Sequence, residues 1–129
     1  MAEYTLDMPA PDTWLNSNDR MKWQPRHRLT RTWRHAGQTW ALAALRRGDL
    51  ARITGPVEIV AAVRRDTARG RSDAANRYPT VKAVVDGLVD AGVLVDDSDR
   101  YVTSLKMVAG PTTTTVGGRL VLTIREVTE

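Results

Sequence analysis

The sequence predicts a single α+β domain in which two main helices pack on a mixed β-sheet, in the order β-α-β-α-β-β. Three observations indicate this fold. Short segments with strand-like composition alternate with two segments whose apolar residues recur at helical spacing. Glycine and proline residues separate these segments. The chain of 129 residues is long enough for one hydrophobic core and contains no internal repeat. We therefore treat residues 1–129 as one domain.

The first half of the chain predicts one strand and one long helix. Residues 3–10 form the strand, and Pro9 and Pro11 end it. A polar, irregular stretch follows through Pro25. Apolar residues then recur at helical spacing until Gly48, which offers a C-terminal stop. These apolar residues are Leu29, Trp33, Ala36, Trp40 and Ala44.

Two aromatic residues and two histidines of this helix have more than one interpretation. Trp33 and Trp40 are seven residues apart and share a face, so they could stack on nucleic-acid bases or belong to the core. The apolar stripe on which they lie favours the core. We place His27 and His35 at the surface or at a helix end.

The second half predicts a strand, a helix and two more strands. Alternating residues from Val57 to Val63 indicate a mostly buried strand, and a polar loop runs from Asp66 to Arg77. Pro79 and Thr80 suit the first turn of the second helix, which ends before Gly92. Its inward residues are Val81, Val84, Val85 and Leu88. Strands over residues 101–108 and 119–127 are expected to form an antiparallel hairpin with a long loop.

Composition excludes several classes of protein. No apolar run approaches the ~20 residues that a membrane span needs, and the N-terminus lacks the pattern of a secretion signal. The absence of cysteine excludes disulfides and thiolate zinc sites. Two histidines are too few for a typical zinc centre. We therefore expect a cytoplasmic protein without a membrane partner.

Charge is segregated along the chain, whose formal net charge is +4. No acidic residue occurs between Arg20 and Arg47, whereas six aspartates lie between Asp73 and Asp99. This pattern fits a protein that binds a polyanion with one part and a cation with another, but also an ordinary arginine-rich surface. The basic residues of the first segment are Arg20, Lys22, Arg26, Arg28, Arg31, Arg34, Arg46 and Arg47.

The aspartates flank the second helix, with Asp73 before it and Asp96 and Asp97 after it. Carboxylates beside a basic surface would repel a phosphate backbone unless a divalent cation lay between them, and oxygen ligands suit Mg²⁺ or Mn²⁺. Lys82, Asp86 and Asp90 share the polar face of the helix at i, i+4 and i+8. Lys82 is therefore either a member of a surface ion pair or a residue that stabilises a phosphoryl transition state.

These residues occur in an order that resembles a known family. Arg71-x-Asp73-x-x-Asn76, a lysine at Lys82, Asp86-Gly87-Leu88 and Val95-Asp96-Asp97 resemble the RusA-type Holliday-junction resolvases of bacteria and their phages. The resemblance implies a magnesium-dependent endonuclease, in a phage or prophage branch, that resolves branched DNA by paired symmetric nicks. It implies that Asp73, Lys82 and Asp97 are catalytic, that Asp73, Asp96 and Asp97 bind the metal, and that Asn76 and Asp86 support them.

DNA phosphates would then be held by basic side chains that do not read base sequence. The residues expected to do so are Arg20, Lys22, Arg26, Arg28, Arg31, Arg34, Arg64, Arg65, Arg69 and Arg71.

The sequence departs from the family pattern at two points. Ala75 stands where the family has its second aspartate, and residues 77–79 place Lys82 farther from Asn76 than in the family. Either a divergent branch rebuilds the site with Asp86, Asp96 or Asp97, or the chain is a non-catalytic DNA-binding protein of the same fold. The ordered agreement of the remaining residues favours the first explanation.

A resolvase must place two nicks symmetrically about the junction, whereas this chain has one acidic cluster. A two-fold homodimer meets that requirement. Val102 and Val121, on the predicted outer face of the last two strands, are candidates for its interface, although the same residues could pack against a helix in a monomer.

Overall fold

The computed structural model of the protein describes residues 2–17, 20, 22–66 and 74–127. Four strands and two main helices occur in the predicted order, which confirms the α+β fold with a mixed sheet. The elements are β1 (Glu3–Pro9), α1 (Trp23–Arg47), β2 (Val57–Arg64), a short 3-10 turn (Ala74–Arg77), α2 (Tyr78–Asp90), β3 (Val102–Ala109) and β4 (Arg119–Glu126).

The strands are arranged in the order β1-β4-β2-β3, with β4 antiparallel to both of its neighbours and β3 parallel to β2. The prediction of a β3–β4 hairpin was therefore wrong, because β2 lies between these strands. The side chains give the physical reason. Leu120, Leu122 and Ile124 of β4 are fully buried and need a central position. Exposed Ser104 and Lys106 in β3 suit an edge strand.

One face of the sheet carries the core. Ile59 and Ala61 of β2 are fully buried, whereas Val60 between them is exposed on the opposite face. The two helices pack against each other, and their buried residues join the core residues of the strands in one cluster. The other face of the sheet is not covered by a helix of the described chain.

Helix α1 begins at Trp23, earlier than predicted, so the irregular stretch before it is shorter. Pro25 does not prevent this start because the first N–H groups of a helix lack helical acceptors in any case. The helix ends as predicted at Gly48, whose φ of 82° is left-handed and whose N–H donates to the carbonyl of Leu45. Trp33 is wholly buried and Trp40 packs against the core, which confirms the core interpretation of both.

Helix α2 has the predicted inward face, since Val81, Val84, Val85 and Leu88 are all buried. Pro79 lies in its first turn, and Gly92, with φ of 82°, follows its end. The only buried polar side chain in the described chain is that of Thr80. Its hydroxyl accepts from the N–H of Leu15 at 2.8 Å and donates to the Leu15 carbonyl at 2.9 Å, so it fixes the segment before α1 on α2.

The helices cross at two glycines. A Cβ on Gly37 would lie 2.9 Å from the carbonyl oxygen of Val84, and one on Gly87 would collide with the carbonyl oxygen of Arg34. The two backbones therefore approach each other more closely than alanine would permit. None of the helices in the described ranges has the length and apolar character to cross a membrane.

Candidate functional site

Three charged side chains converge beside α2, and we call them the Lys82 cluster: Lys82, Asp86 and Asp97. The Lys82 Nζ donates to Asp86 Oδ1 at 2.7 Å and also to Asp97 Oδ2. Asp86 lies one helical turn after Lys82, whereas Asp97 comes from the loop that follows the helix. Between 26% and 39% of each side chain is exposed, so the cluster is sheltered but open to solvent.

The loop after α2 brings Asp97 back toward the second turn of the helix. Val93 and Leu94 are buried and anchor the return, and the N–H of Ile53 donates to the Val93 carbonyl at 2.8 Å. The Ser98 carbonyl accepts from the N–H of Tyr101 at 2.9 Å, which leads the chain into β3. The acidic segment therefore sits on a well-anchored loop rather than on a free one.

The contacts within the cluster favour the charged forms of Lys82 and Asp97. Partial burial lowers the pKa of Lys82, but hydrogen bonds to Asp86 and Asp97 outweigh it and leave the pKa above its ordinary value. The hydrogen bond from Lys82 is the main cause that lowers the pKa of Asp97, to about 2. A protonated ammonium and an ionised carboxylate are thus in direct contact.

Asp96 lies next to the cluster and orders the loop. Its Oδ1 accepts the backbone N–H of the next residue, Asp97, at 2.8 Å. This contact fixes the backbone that carries Asp97.

A second ion pair joins α1 to the polar face of α2. Arg34 donates to both carboxylate oxygens of Asp90, at 2.6 Å and 2.8 Å. The hydrogen bond to Asp90 raises the pKa of Arg34 above its ordinary value, whereas partial burial opposes this rise. The negative charges of Asp86 and Asp97 also raise the pKa of Arg34. The same bond lowers the pKa of Asp90. Arg34, predicted to bind DNA, therefore has an acidic partner in this structure.

The carboxylates of the cluster are of the chemical kind that Mg²⁺ prefers, since the ion takes oxygen ligands. Both carboxylates, those of Asp86 and Asp97, contact the same cation, the Lys82 ammonium. Within the described ranges, no group of three acidic or histidine side chains lies close enough to hold a metal ion. Asp73, the remaining predicted ligand, lies outside the described residues, as do Arg69 and Arg71.

The 3-10 turn before α2 carries Asn76, which matches the family pattern, and Ala75, which replaces the second aspartate of that pattern. The Asn76 carbonyl accepts the N–H of Ser17 at 2.7 Å, and this bond ties the turn to the segment that leads into α1. The guanidinium of Arg77 lies over the ring of Trp14, 5.8 Å from its centre. The two segments that approach the helices are therefore held together.

A pocket of about 190 Å³ adjoins the Lys82 cluster. It lies between α2 and the edge strand β3, and its lining includes Tyr78, Lys82, Asp97, Asp99 and Val102. Val102 also packs against the core, so it lies on the helix side of the sheet rather than on the predicted outer face. Of the two roles considered for Val102, a dimer interface and packing within the monomer, this position favours packing within the monomer.

The basic residues of α1 form an exposed surface. Arg28 and Arg31, together with His35, line an open groove of about 500 Å³ beside Pro11. Both histidines of the chain are exposed, as predicted. Arg20 and Lys22, which precede α1, are also exposed. Arg26 is half-buried and donates to the carbonyl of Asn16 at 3.3 Å. Arg64, at the end of β2, donates to the carbonyls of Pro111 and Thr112.

One surface feature was missed in the sequence. Trp23, the first residue of α1, is 71% exposed and stacks on His27 with 5.1 Å between ring centres. The signal available was a tryptophan in a basic segment, outside the apolar stripe that begins at Leu29.

Comparison with known protein families and curated proteins gave no match. No protein-family model matches the chain, and no curated protein matches it significantly.

Proposed function

We propose that the chain is a metal-dependent endonuclease that resolves four-way junctions and other branched DNA by paired symmetric nicks, acting in the cytoplasm. The observation that carries the proposal is the convergence of Lys82, Asp86 and Asp97, which are separated by up to 15 residues in sequence, on one point of the surface. The resemblance to the RusA-type resolvases assigns chemistry to the same three positions. The exposed arginines of α1 supply the charge that a phosphate backbone requires.

Each residue of the cluster has a role that its charge allows. Lys82 remains protonated and places positive charge where a phosphoryl group becomes more negative in the transition state. Asp86 orients the Lys82 ammonium through the 2.7 Å hydrogen bond. Asp97 stays ionised at neutral pH because its pKa is about 2.

Asp97 and Asp73 would hold Mg²⁺, or Mn²⁺ in its place, with Asp96 beside them. Such an ion supplies charge neutralisation and an acidified water for phosphodiester hydrolysis. Asn76, which the family resemblance gives a supporting role, lies in the turn before α2, and its backbone carbonyl accepts the N–H of Ser17. DNA would lie against Arg20, Lys22, Arg28 and Arg31, and also against Arg69 and Arg71, which lie outside the described residues.

A second candidate function is favoured by one observation, the alanine at position 75. If the missing carboxylate weakens the metal site, the same basic surface makes a DNA-binding protein without activity. The two candidates differ in a single measurement, because both predict junction binding and only the first predicts cleavage.

The test uses a labelled synthetic four-way junction with Mg²⁺, with Mn²⁺ and with EDTA. We expect paired nicks with either metal and none with EDTA. Asp97→Asn should abolish cleavage and retain junction binding, and Asp73→Asn should do the same. Asp49→Asn is the matched control, because Asp49 is exposed and pairs only with Arg47 among the ion pairs of the described residues. Near-normal cleavage by Asp97→Asn contradicts the assignment, and tight binding without cleavage by the native protein supports the alternative.

We also propose that the protein acts as a homodimer, so that two equivalent clusters cut symmetry-related strands. The uncovered face of the sheet offers an apolar centre at Val60, Ala62 and Val121. Ion pairs flank it, between Glu58 and Arg125 and between Asp7 and Arg119. Val121 therefore remains an interface candidate.

Light scattering at micromolar concentration should give twice the chain mass of 14.3 kDa, and Val121→Lys should reduce it to a monomer. A monomer that still makes paired nicks would refute the dimer.

A further inference from the structure

The first turn of α1 presents a large aromatic side chain to solvent. Trp23 is 71% exposed, whereas Trp33 is fully buried and Trp40 packs against the core. A single exposed apolar residue is common on protein surfaces and needs no explanation by itself. Trp23 is informative because its exposure coincides with a stacking contact and with neighbouring cations.

His27 holds the Trp23 ring in a defined orientation. The two rings are nearly parallel, with an interplanar angle of 8° and centres 5.1 Å apart. The residues are one helical turn apart, so the rigid helix backbone sets their spacing. The imidazole covers one face of the indole, and the high exposure of Trp23 leaves the rest of the ring system open to a ligand. A fixed ring loses less conformational entropy on binding than a mobile one.

The surroundings of this stack are cationic. Lys22 and Arg28 are exposed beside it in sequence, and the segment from Arg20 to Arg47 contains no acidic residue. The aromatic surface is complementary to a flat, uncharged ring, and the neighbouring cations are complementary to a negatively charged backbone that carries this ring. An unpaired nucleic-acid base has this combination, since every base can stack on an aromatic side chain while its phosphates contact lysine or arginine.

The stack lies on the same side of α1 as Arg34. Trp23, His27 and Arg34 are spaced i, i+4 and i+11, so they follow one side of the helix. Arg34 meets Asp90 on the polar face of α2, one turn after Asp86. The helical rise puts Trp23 about 16 Å along the axis from Arg34. A bound strand could therefore contact both regions.

We propose that the Trp23–His27 stack is a platform for an unpaired DNA base, of the kind exposed where base pairs open at a branch point. This inference rests on the DNA binding in the proposed function but not on cleavage. It assigns Trp23 to substrate binding and His27 to positioning the indole.

The test compares a short oligothymidylate with an abasic phosphodiester of equal length, each carrying a fluorophore, by anisotropy in EDTA. Both oligomers keep the phosphates, and only the first has bases. We expect the native protein to bind the oligothymidylate about 5- to 150-fold more tightly, the range for stacking one base. Trp23→Ala should remove this preference and leave abasic binding unchanged, whereas Trp23→Phe should retain most of it.

His27→Ala should reduce the preference partially, because the indole then loses its fixed orientation. Val116→Ala is the matched control, since Val116 is apolar, 89% exposed and located between β3 and β4. Circular dichroism would verify that each variant is folded.

Three results would overturn the inference: equal affinity of the native protein for the two oligomers, no binding of either, or a preference that survives in Trp23→Ala. Failure of the proposed function has a different signature. In that case the native protein keeps its base-dependent binding but does not cut a junction in Mg²⁺ or Mn²⁺.

Discussion

The close crossing of the two helices makes Gly87→Ala a sharp test of the packing between α1 and α2. A Cβ at this position would collide with the Arg34 carbonyl oxygen and lie 2.8 Å from the backbone nitrogen of Gln38. Both obstacles are backbone atoms of α1, so no side-chain rotation can relieve the contact. The two helices would have to separate.

The expected magnitude combines two opposing terms. Alanine is favoured over glycine in a helix interior by about 1 kcal/mol. Forcing an additional methyl group into a packed interface costs about 1–3 kcal/mol, and an obstacle made of backbone belongs at the upper end of that range. We therefore expect a net loss of about 2 kcal/mol in the free energy of unfolding. For a chain of this size, that loss lowers Tm by about 6–10 °C.

Urea denaturation followed by circular dichroism would measure the change, and a thermal scan would give Tm. Gly55→Ala is the matched control, because no atom lies within 4 Å of its added Cβ and its φ is not positive. That variant should stay within about 0.5 kcal/mol of the native protein. A Gly87→Ala protein as stable as Gly55→Ala would refute the close crossing of α1 and α2.

Three further predictions concern the site and its support. Lys82→Ala should slow junction cleavage by a factor of about 10² or more with little change in binding, as single-turnover rates would show; an unchanged rate with weaker binding would make Lys82 a docking residue. Ala75→Asp should tighten Mg²⁺ or raise activity in a metal titration, and an effect on neither would contradict the assigned alignment of residues 73–82 with the family pattern. Thr80→Val should lower the free energy of unfolding by about 1–3 kcal/mol in urea, because it leaves the buried N–H and carbonyl of Leu15 without their partner, whereas Thr80→Ser should lose less.

Local sequence was sufficient for much of the fold. Helical spacing predicted the inward residues of α2, and Gly48 marked the end of α1, because both features depend on neighbours within one or two turns. The start of α1 was predicted too late. Pro25 suggested an irregular segment, yet the first turn of a helix accepts proline and the structure uses it there.

The i, i+4 spacing also anticipated the contact between Lys82 and Asp86, which the structure shows at 2.7 Å. The exposed position of Trp23 was not anticipated, because apolar residues near a helix start are as readily buried as exposed. Its stacking on His27 follows from helical geometry once the helix is known to begin at Trp23.

The sequence by itself determined the order of the elements, the inward face of α2 and the segregation of charge. Only the tertiary structure decided that β4 lies between β1 and β2, that the helices meet at Gly37 and Gly87, and that Asp97 reaches Lys82. The physical reason is the separation in sequence between the residues that interact. Periodicity and turn chemistry act between residues a few positions apart, whereas strand order and the return of the Asp97 loop depend on burying Leu122 and Val93 in one shared core.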